Sequence, residues 1–504
     1  METRLSTLRA SEPDAKDAWL YTRRFFEAAP GAKFGVVQRS WFETRLRAHT
    51  NSPNRDDEPA WYALRNVIFA TGSRLHLAKT TTFREACQIS WGWFENALSV
   101  HTEILYFKTS ILGLQALTLM AYFVDELGSP ALEYMLCSNA LRLACSKGLH
   151  RQAVSSWNLT PQEACQRDWI FWAIYCLEKS IALRSGRPSI TDDDDISCQI
   201  PIYGPPGSAV DVVFCNLWIR FAQLSSLVSK RLSSVQAFRR TTSATIDNVI
   251  DLDQQLRSLK DSMAYIFCVD APINPSSLPA GMSLNQALDV QFTYYDLLSH
   301  IHTALTYPWS QAMLRPQEND KHRKQIETSC SIVADAARSI ILATKWVHLD
   351  ANCSVLSAFT ASIQAVINLF IHILQYPENP SVQWDLSLLD IGAGHFARLE
   401  FATRSQISIS FVKDIASLAR AAVRRAKNGP VTCGGSTGVR TLANLDSVSS
   451  ESDMVGGPNH SQPTGMNQEA FDIELSDFQP ENLSMLLPGI DLDGGMTDFF
   501  NWEQ

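Results

Sequence analysis

The chain has 504 residues, of which 45% are apolar and 19% are charged. This is an ordinary globular composition with enough apolar material for a large core. The formal net charge of −9 excludes a chain that grips nucleic acid over its whole surface.

The N-terminal residues and the cysteines bear on the compartment. Residues 1–14 form a short stub without an apolar signal core, so we expect no secretion. The eleven cysteines are odd in number, lie in apolar runs and show no C-x-x-C spacing. They therefore predict buried thiols in a reducing compartment rather than a disulfide framework or a zinc site.

Residues 15–427 are predicted to form one large all-α domain, because apolar residues recur there at three- and four-residue steps and period-two runs of β-branched residues are scarce. Two nearly uncharged runs, 109–124 and 351–380, are predicted as buried helices of this domain rather than membrane spans. The first is short for a span, and the second holds several polar side chains. One predicted apolar stripe consists of Ile246, Val249, Ile250, Leu256 and Leu259.

Two helix borders are clear in the sequence. Thr160 is placed to cap a helix that has Pro161 at its first position and Glu163 at its third, which is a capping box. Gly148 suits the left-handed position after a helix end, and Leu149 can then fold back onto the last turn, as in a Schellman motif.

The segment RSGRPSITDDDD, residues 184–195, raises the question of a metal site. Isoprenoid-diphosphate enzymes bind magnesium through D-D-x-x-D on one helical face, but here an uncharged residue takes the place of the third aspartate. Adjacent helical residues also point about 100° apart, so Asp192–Asp195 are poorly placed to converge on one ion. The favoured interpretation is that Thr191 or Asp192 caps a short helix, with the other aspartates near Arg184 and Arg187.

Other catalytic patterns are weak. The sequence contains no G-x-x-x-x-G-K-[ST], H-E-x-x-H or G-x-S-x-G motif. His300 and His302 lie two apart on a predicted helix, and we interpret them as polar residues of a core helix rather than a metal pair. The sequence leaves open whether a histidine forms a catalytic dyad with a residue that is distant in sequence but close in space. Basic segments at 230–240, 321–324 and 420–427 suit nuclear import, but more often such segments are solvated helix faces.

The composition changes near the C-terminal end. Residues 428–468 are rich in Gly, Ser and Pro and are predicted to be a disordered linker. Residues 451–504 carry eleven acidic residues and no Lys or Arg, so their formal net charge is −11. Since the whole chain has −9, the first 450 residues carry a net charge of −9 − (−11) = +2. Residues 469–504 alternate acidic and apolar residues, as activation regions do. The predicted contacts of this tail are Phe471, Phe478, Leu486, Leu487, Phe499, Phe500 and Trp502.

The central block resembles the fungal-specific transcription-factor domain, also called the middle homology region. The resemblance is carried by ALRLACSKGLHR and then RDWIFWAIYCLEKSIALRSGRPSITDDDDISCQIP, and it extends more weakly over about residues 15–425. It implies a large multi-helix regulatory domain. The signature residues, for which the resemblance implies a structural role, are Gly148, Leu149, His150, Arg151, Arg167, Gly186, Arg187, Pro188, Asp192 and Asp194.

Two departures from the family pattern stand out. The central helix has Glu178-Lys179 where the family usually has an Asp-Arg pair, a difference that we expect to be minor. The larger departure is that the binuclear zinc cluster, which needs six closely spaced thiolates, has no counterpart here. We therefore expect no cofactor in this chain, since a zinc cluster would belong to a missing N-terminal segment.

The leading hypothesis is a nuclear transcriptional regulator of fungal type that controls a metabolic or secondary-metabolite gene cluster. Its partners would be coactivator proteins through the acidic tail, and DNA through a missing domain or a partner regulator. The resemblance also allows a homodimer and a small-molecule effector, and we expect no membrane partner. Two alternatives stay open: an all-helical magnesium-dependent isoprenoid-type enzyme, and a ligand-binding module without transcriptional output.

Overall fold

The computed structural model describes residues 9–428, with the exception of 52–57, 127–128, 206–207, 209, 265–266, 280, 309, 311–315, 351–352, 355, 405–408 and 410. Every regular element in these described residues is a helix, and no strand occurs among them. The predicted all-α class is therefore confirmed. The linker 428–468 (apart from Asn428) and the tail 469–504 lie outside the described residues.

The first eight helices build the N-terminal half. They are α1 (Ala15–Ala28), α2 (Pro30–Lys33), α3 (Arg39–Asn51), α4 (Pro59–Leu77), α5 (Phe83–Leu98), α6 (Ile111–Asp125), α7 (Pro130–Ser146) and α8 (Pro161–Ser185). Their apolar faces meet in one core, which we call the first core. Helices α4 and α6 lie at its centre and are buried around most of their circumference; α6 is almost entirely apolar, whereas α4 also buries Arg65, Asn66 and Arg74.

Seven further helices build the C-terminal half. They are α9 (Val212–Val228), α10 (Thr242–Met263), α11 (Leu284–Thr306), α12 (Pro316–Ala343), α13 (Ala361–Gln375), α14 (Val382–Ala402) and α15 (Phe411–Asn428). They enclose a separate apolar cluster, the second core. Short turns of π-helix extend this half at Ser229–Ser233, after α9, and at Leu356–Thr360, before α13.

Helix α9 is the wall that the two cores share. Cys215, Ile219 and Ala222 face the first core, whereas Phe221 and Leu224 face the second. A helix that is apolar around most of its circumference must be covered on both sides to bury its surface. The consequence is that any displacement of α9 disturbs the packing of both halves.

Local sequence explains where several helices begin. Capping boxes start α5 at Thr82, α8 at Thr160 and α11 at Ser283, in each case with a Glu or Gln three residues later returning a hydrogen bond. The capping box predicted at Thr160 is thus confirmed. The sequence also predicts a loop over residues 311–322. The second part of this prediction is wrong, because α12 begins at Pro316, a residue favoured in the first turn of a helix.

Two segments, Val212–Arg239 and Ala358–Gln375, are long and apolar enough to cross a membrane by length and composition alone. Both bury side chains in the second core, as core helices of large helical domains do. Helix α6, predicted as buried from the uncharged run 109–124, contributes an unbroken buried stretch from Gly113 to Val124.

Candidate functional site

The signature residues begin at the end of α7, where the chain reverses. Gly148 adopts a φ of +70°, its N–H donates to the carbonyl of Cys145, and the N–H of Leu149 donates to the carbonyl of Ala144. These two bonds define a Schellman motif, and the buried Leu149 side chain seals it. The sequence prediction for this border is therefore confirmed. A side chain at residue 148 would strain the backbone, because left-handed φ values favour glycine.

Arg167 of α8 holds the same helix end from the other side. Its Nη2 donates to the carbonyl of Lys147 at 2.9 Å, and its guanidinium lies over the ring of Trp157 at 5.4 Å. A cation placed at the C-terminus of a helix satisfies free carbonyls and complements the helix dipole. Arg167 thus joins the start of α8 to the end of α7.

His150 and Arg151 follow the turn and take different positions. The carbonyl of His150 accepts hydrogen bonds from the N–H groups of Ser197 and Cys198, both at 3.0 Å. This pairs the end of the α7 turn with the chain that follows the Asp-rich run. Burial lowers the pKa of the His150 imidazole. Arg151 is exposed, and its Nε donates to the His150 ring at 3.2 Å.

Helix α8 ends at Gly186, which adopts a φ of +64°. From there residues 186–200, which we call the signature loop, run back along α8. Arg187 lies over the ring of Tyr134 at 5.3 Å, and the hydroxyl of Tyr134 donates to the carbonyl of Pro188 at 3.0 Å. Both contacts of the Gly-Arg-Pro segment are thus made with Tyr134 of α7.

The signature loop is anchored by two buried charged residues of α8. Lys179, 1% exposed, donates to the Ser189 hydroxyl at 2.8 Å and to the Thr191 carbonyl at 2.6 Å. Glu178, 2% exposed, accepts from the Ser189 hydroxyl at 3.1 Å and from the N–H of Ile190 at 2.8 Å. Burial raises the pKa of the Glu178 carboxyl, and the Lys179 charge acts in the opposite direction. Buried charges persist where they are paired and hydrogen-bonded, as here.

From the sequence, the departure of this pair from Asp-Arg is expected to be minor. The structure places Glu178 and Lys179 at the centre of the signature, since they bind the backbone of the loop directly. The sequence does contain a signal for this role, since two charged residues interrupt the otherwise apolar run WIFWAIYCLEKSIAL. A charge on a buried helix needs a partner, so these two residues could have been predicted to bind another segment.

The four aspartates form the turn that follows. Asp192 caps the short helix Asp193–Asp195 by accepting from the N–H of Asp194, as the sequence predicts. The predicted proximity of the aspartates to Arg184 and Arg187 is wrong. Lys179 lies 3.3 Å from Asp193, and Lys230, beyond α9, binds both carboxylate oxygens of Asp192 at 2.9 Å.

The two arginines have other partners. Arg184 forms ion pairs with Asp125 of α6 and Glu133 of α7, and Arg187 stacks on Tyr134. The hydrogen bonds from Lys230 lower the pKa of the Asp192 carboxyl. Among the described residues, no three His, Cys, Asp or Glu side chains come together in a way that could hold a metal ion.

His300 and His302 point to different partners, as their spacing predicts. His302 is buried, with Nδ1 3.0 Å from the Ser329 hydroxyl and Nε2 3.5 Å from the Asp253 carboxylate. The order Ser, His, Asp is that of a hydrolase triad, but Ser329 is fully buried, so a substrate has no access to its hydroxyl. The arrangement therefore serves packing between α10, α11 and α12.

The signature loop forms one side of an open cleft of about 830 Å³. Helix α8 provides its floor with Trp172 and Tyr175, and α9 and α10 provide the opposite side. The hydroxyl of Tyr175 donates to the Asp193 carboxylate at 3.0 Å, and the indole N–H of Trp172 donates to the Gln199 carbonyl at 2.9 Å. Both rings are thus fixed by the loop. The tail residues predicted to contact coactivators, from Phe471 to Trp502, lie outside the described residues.

A comparison of the sequence with known protein families identifies a domain that contains these segments. Residues 23–259 match the fungal specific transcription factor domain, which includes α8, the signature loop and most of α10. No solved structure matches the chain.

Three relatives illustrate the family. An ABC-transporter-regulating transcription factor of Aspergillus oryzae is 30% identical over 66% of this chain and 38% of its own length. The fusaridione A cluster transcription factor of Fusarium heterosporum is 26% identical over 43% of this chain and 42% of its own length. A transcriptional regulatory protein of Schizosaccharomyces pombe, itself uncharacterized, is 25% identical over 83% of this chain and 55% of its own length.

The chain therefore spans between about two fifths and just over half of the length of these relatives. All three are named as regulators of transcription and none as an enzyme, in agreement with the prediction. The resemblance carried by the Gly-Leu-His-Arg, Gly-Arg-Pro and Asp-rich segments is thus confirmed, since residues 23–259 match the fungal specific transcription factor domain and the relatives are fungal regulators of transcription.

Proposed function

We propose that the chain is a transcriptional regulator that acts in the nucleus, with its described helices as the regulatory domain. The observation that carries the proposal is the domain match over residues 23–259, within which hydrogen bonds join the end of α7, helix α8 and the signature loop into one structural unit. The relatives are named as transcription factors, a class of protein that generally works in the nucleus. A tagged full chain that stays outside the nucleus would instead favour a ligand-binding module without transcriptional output.

The output of the regulator is assigned to the acidic tail. Residues 469–504 combine acidic side chains with bulky apolar ones, a composition that folds on binding to apolar grooves of coactivators. In this proposal Phe499, Phe500 and Trp502 dock in such grooves, while the acidic residues keep the tail soluble and steer it to basic surfaces.

A tethered reporter assay tests this role. The full chain is fused to an unrelated DNA-binding domain in a fungal host, and reporter expression is compared with that of a chain lacking residues 469–504. We expect most of the activation to be lost on deletion, and also when Phe499, Phe500 and Trp502 are changed to Ala. Replacement of Ser484 by Ala in the same tail is the matched control. Unchanged activation after deletion rejects the activating role of the tail.

DNA contact is proposed to come from a zinc cluster, supplied either by a segment encoded upstream of Met1 or by a partner regulator. The two sources are separated by mapping the 5′ end of the transcript and reading it in frame for six closely spaced cysteines. If they are absent, immunoprecipitation of the chain should recover a partner that carries them.

The names of two relatives suggest which genes are controlled. One is described as regulating an ABC transporter and another as belonging to a secondary-metabolite cluster. We infer that this chain governs a small set of metabolic, export or secondary-metabolite genes. Transcript profiling of a deletion strain should show changes confined to a few clustered genes, and a diffuse change across the genome would contradict the inference.

A further inference from the structure

The cleft beside the signature loop has the size of a small-molecule site, and its lining is partly apolar and partly polar. Its volume of about 830 Å³ lies in the range of pockets that bind drug-sized ligands. Half-buried apolar side chains, Ile196, Leu227 and Leu259, line its walls above the floor of Trp172 and Tyr175. Because Ile196, Leu227 and Leu259 offer apolar contact surface among the polar lining residues and the floor is fixed by hydrogen bonds, a flat molecule with an apolar body would fit without rearrangement of the floor.

The charges around the cleft favour an anion. Asp193 is engaged by Tyr175 and Lys179, and Asp251 is bound by Arg231 at 2.5 Å. Arg220, by contrast, is exposed on the rim and has no ion pair or side-chain hydrogen bond to any of the described residues. The acids of the cleft are thus already compensated, and Arg220 is left to bind an incoming carboxylate through its paired N–H groups.

The cleft also bridges the two halves of the molecule. Ile196 packs against the first core, whereas Leu227 and Leu259 pack against the second. Gln254 and Ser258 of α10 add polar groups on the far side. A ligand in the cleft would contact both halves at once, so its binding would stabilise their relative arrangement.

We propose that this cleft binds a small carboxylic acid with a flat apolar body. Arg220 binds the carboxylate, Ile196, Leu227 and Leu259 cover the apolar body, and the polar side chains of α10 select among substituents. The binding stands on the cleft alone, whereas its use as an effector signal rests on the proposed regulatory function.

Isothermal titration calorimetry on the purified full chain tests the site. The probe is naphthalene-2-carboxylate, and the neutral 2-naphthamide of the same shape is its counterpart. We expect the acid to bind more tightly than the amide. Arg220→Gln should weaken binding of the acid by roughly tenfold to a hundredfold, because hydrogen bonds between charged groups are the strong ones. The amide should bind Arg220→Gln and the unaltered chain about equally.

Two further variants locate the binding. Ser258→Trp places a large ring in the cleft from an exposed position of α10 and should abolish binding of both probes. Arg239→Gln removes an exposed cation outside the cleft and should leave binding unchanged. Absence of heat from the acid on the unaltered chain, equal affinity for acid and amide, or insensitivity to both cleft variants would each overturn the proposal. The reporter assay does not depend on these titrations, so failure of the site and failure of the regulatory role are distinguishable.

Discussion

The buried Lys179 offers the most decisive test of how the signature loop is held. Its ammonium contacts the Ser189 hydroxyl, the Thr191 carbonyl and the Asp193 carboxylate, at 2.8, 2.6 and 3.3 Å. Lys179→Met keeps most of the length and apolar volume of the side chain but removes the charge and all three donors. The substitution therefore isolates the polar role of this residue.

The expected loss of stability follows from these contacts. Breaking a buried ion pair by removing one partner costs about 3–5 kcal/mol, because the remaining charge stays buried without compensation. Glu178 softens this cost, since it keeps the hydrogen bonds from Ile190 and Ser189. Burial already raises the pKa of Glu178, so the carboxyl can take up a proton once Lys179 is gone. We therefore expect the free energy of unfolding to fall by about 3 kcal/mol, the lower end of the range.

Urea denaturation followed by circular dichroism measures the loss, and hydrogen exchange of residues 189–198 measures the local effect. Lys230→Met is the matched control, because Lys230 binds the same aspartate turn from an exposed position, where an ion pair contributes little. The double change of Glu178→Gln with Lys179→Met should recover part of the stability, since it leaves no buried unpaired charge. If Lys179→Met is as mild as Lys230→Met, the anchoring role is wrong.

Three further predictions concern backbone and protonation. Gly148→Ala should lower the free energy of unfolding by about 1–2 kcal/mol, because residue 148 has a left-handed φ. Gly394→Ala is the control, since residue 394 lies on α14 with open space around it, and this change should raise the free energy of unfolding by about 0.5–1 kcal/mol. Urea denaturation midpoints measure both effects. Gly72→Ala should cost about 3 kcal/mol or more, because its methyl would overlap the backbone of α1; a mild effect on the melting temperature would contradict this close approach. Burial lowers the pKa of the His372 and His395 imidazoles below the ordinary value of 6.5, so the unfolded chain takes up protons at a higher pH than the folded chain. The free energy of unfolding should therefore fall as the pH drops below about 6.5. His395→Gln should flatten the dependence of the melting temperature on pH, and an unchanged slope would refute this.

The sequence predicted the features that depend on neighbouring residues. The capping box at Thr160 and the Schellman turn at Gly148 both form, since each is closed by hydrogen bonds between residues a few positions apart. The apolar stripe predicts the helix α10 correctly, and Ile246, Val249 and Leu256 of the stripe are buried, whereas Ile250 is 48% exposed. Periodicity fixes which residues share a face of a helix, and only packing decides how wide the buried face is.

Contacts between distant segments could not be predicted in this way. The partner of Asp192 is Lys230, 38 residues later, rather than the nearby Arg184 and Arg187. Arg184 instead turns to Asp125 and lies against α6. Charge pairing between segments depends on which helices are neighbours in space, and a single sequence without a fold leaves that open. The cleft was missed for the same reason, because its walls come from four separate segments.

The buried pair on α8 does more to define a conformation than to add stability. A buried ion pair is often no more stabilising than apolar residues of the same volume, yet Glu178 and Lys179 fix the path of the signature loop through direct bonds to its backbone. An apolar replacement would leave those backbone groups without partners, and the loop would have no reason to follow α8. The same loop forms one wall of the cleft and binds Tyr175 and Trp172 of its floor. By fixing the loop, Glu178 and Lys179 therefore determine the shape of the cleft without lining it. The double variant, which keeps an acceptor at residue 178 but has no donor at residue 179, should therefore recover part of the stability lost in Lys179→Met without restoring the geometry of the cleft.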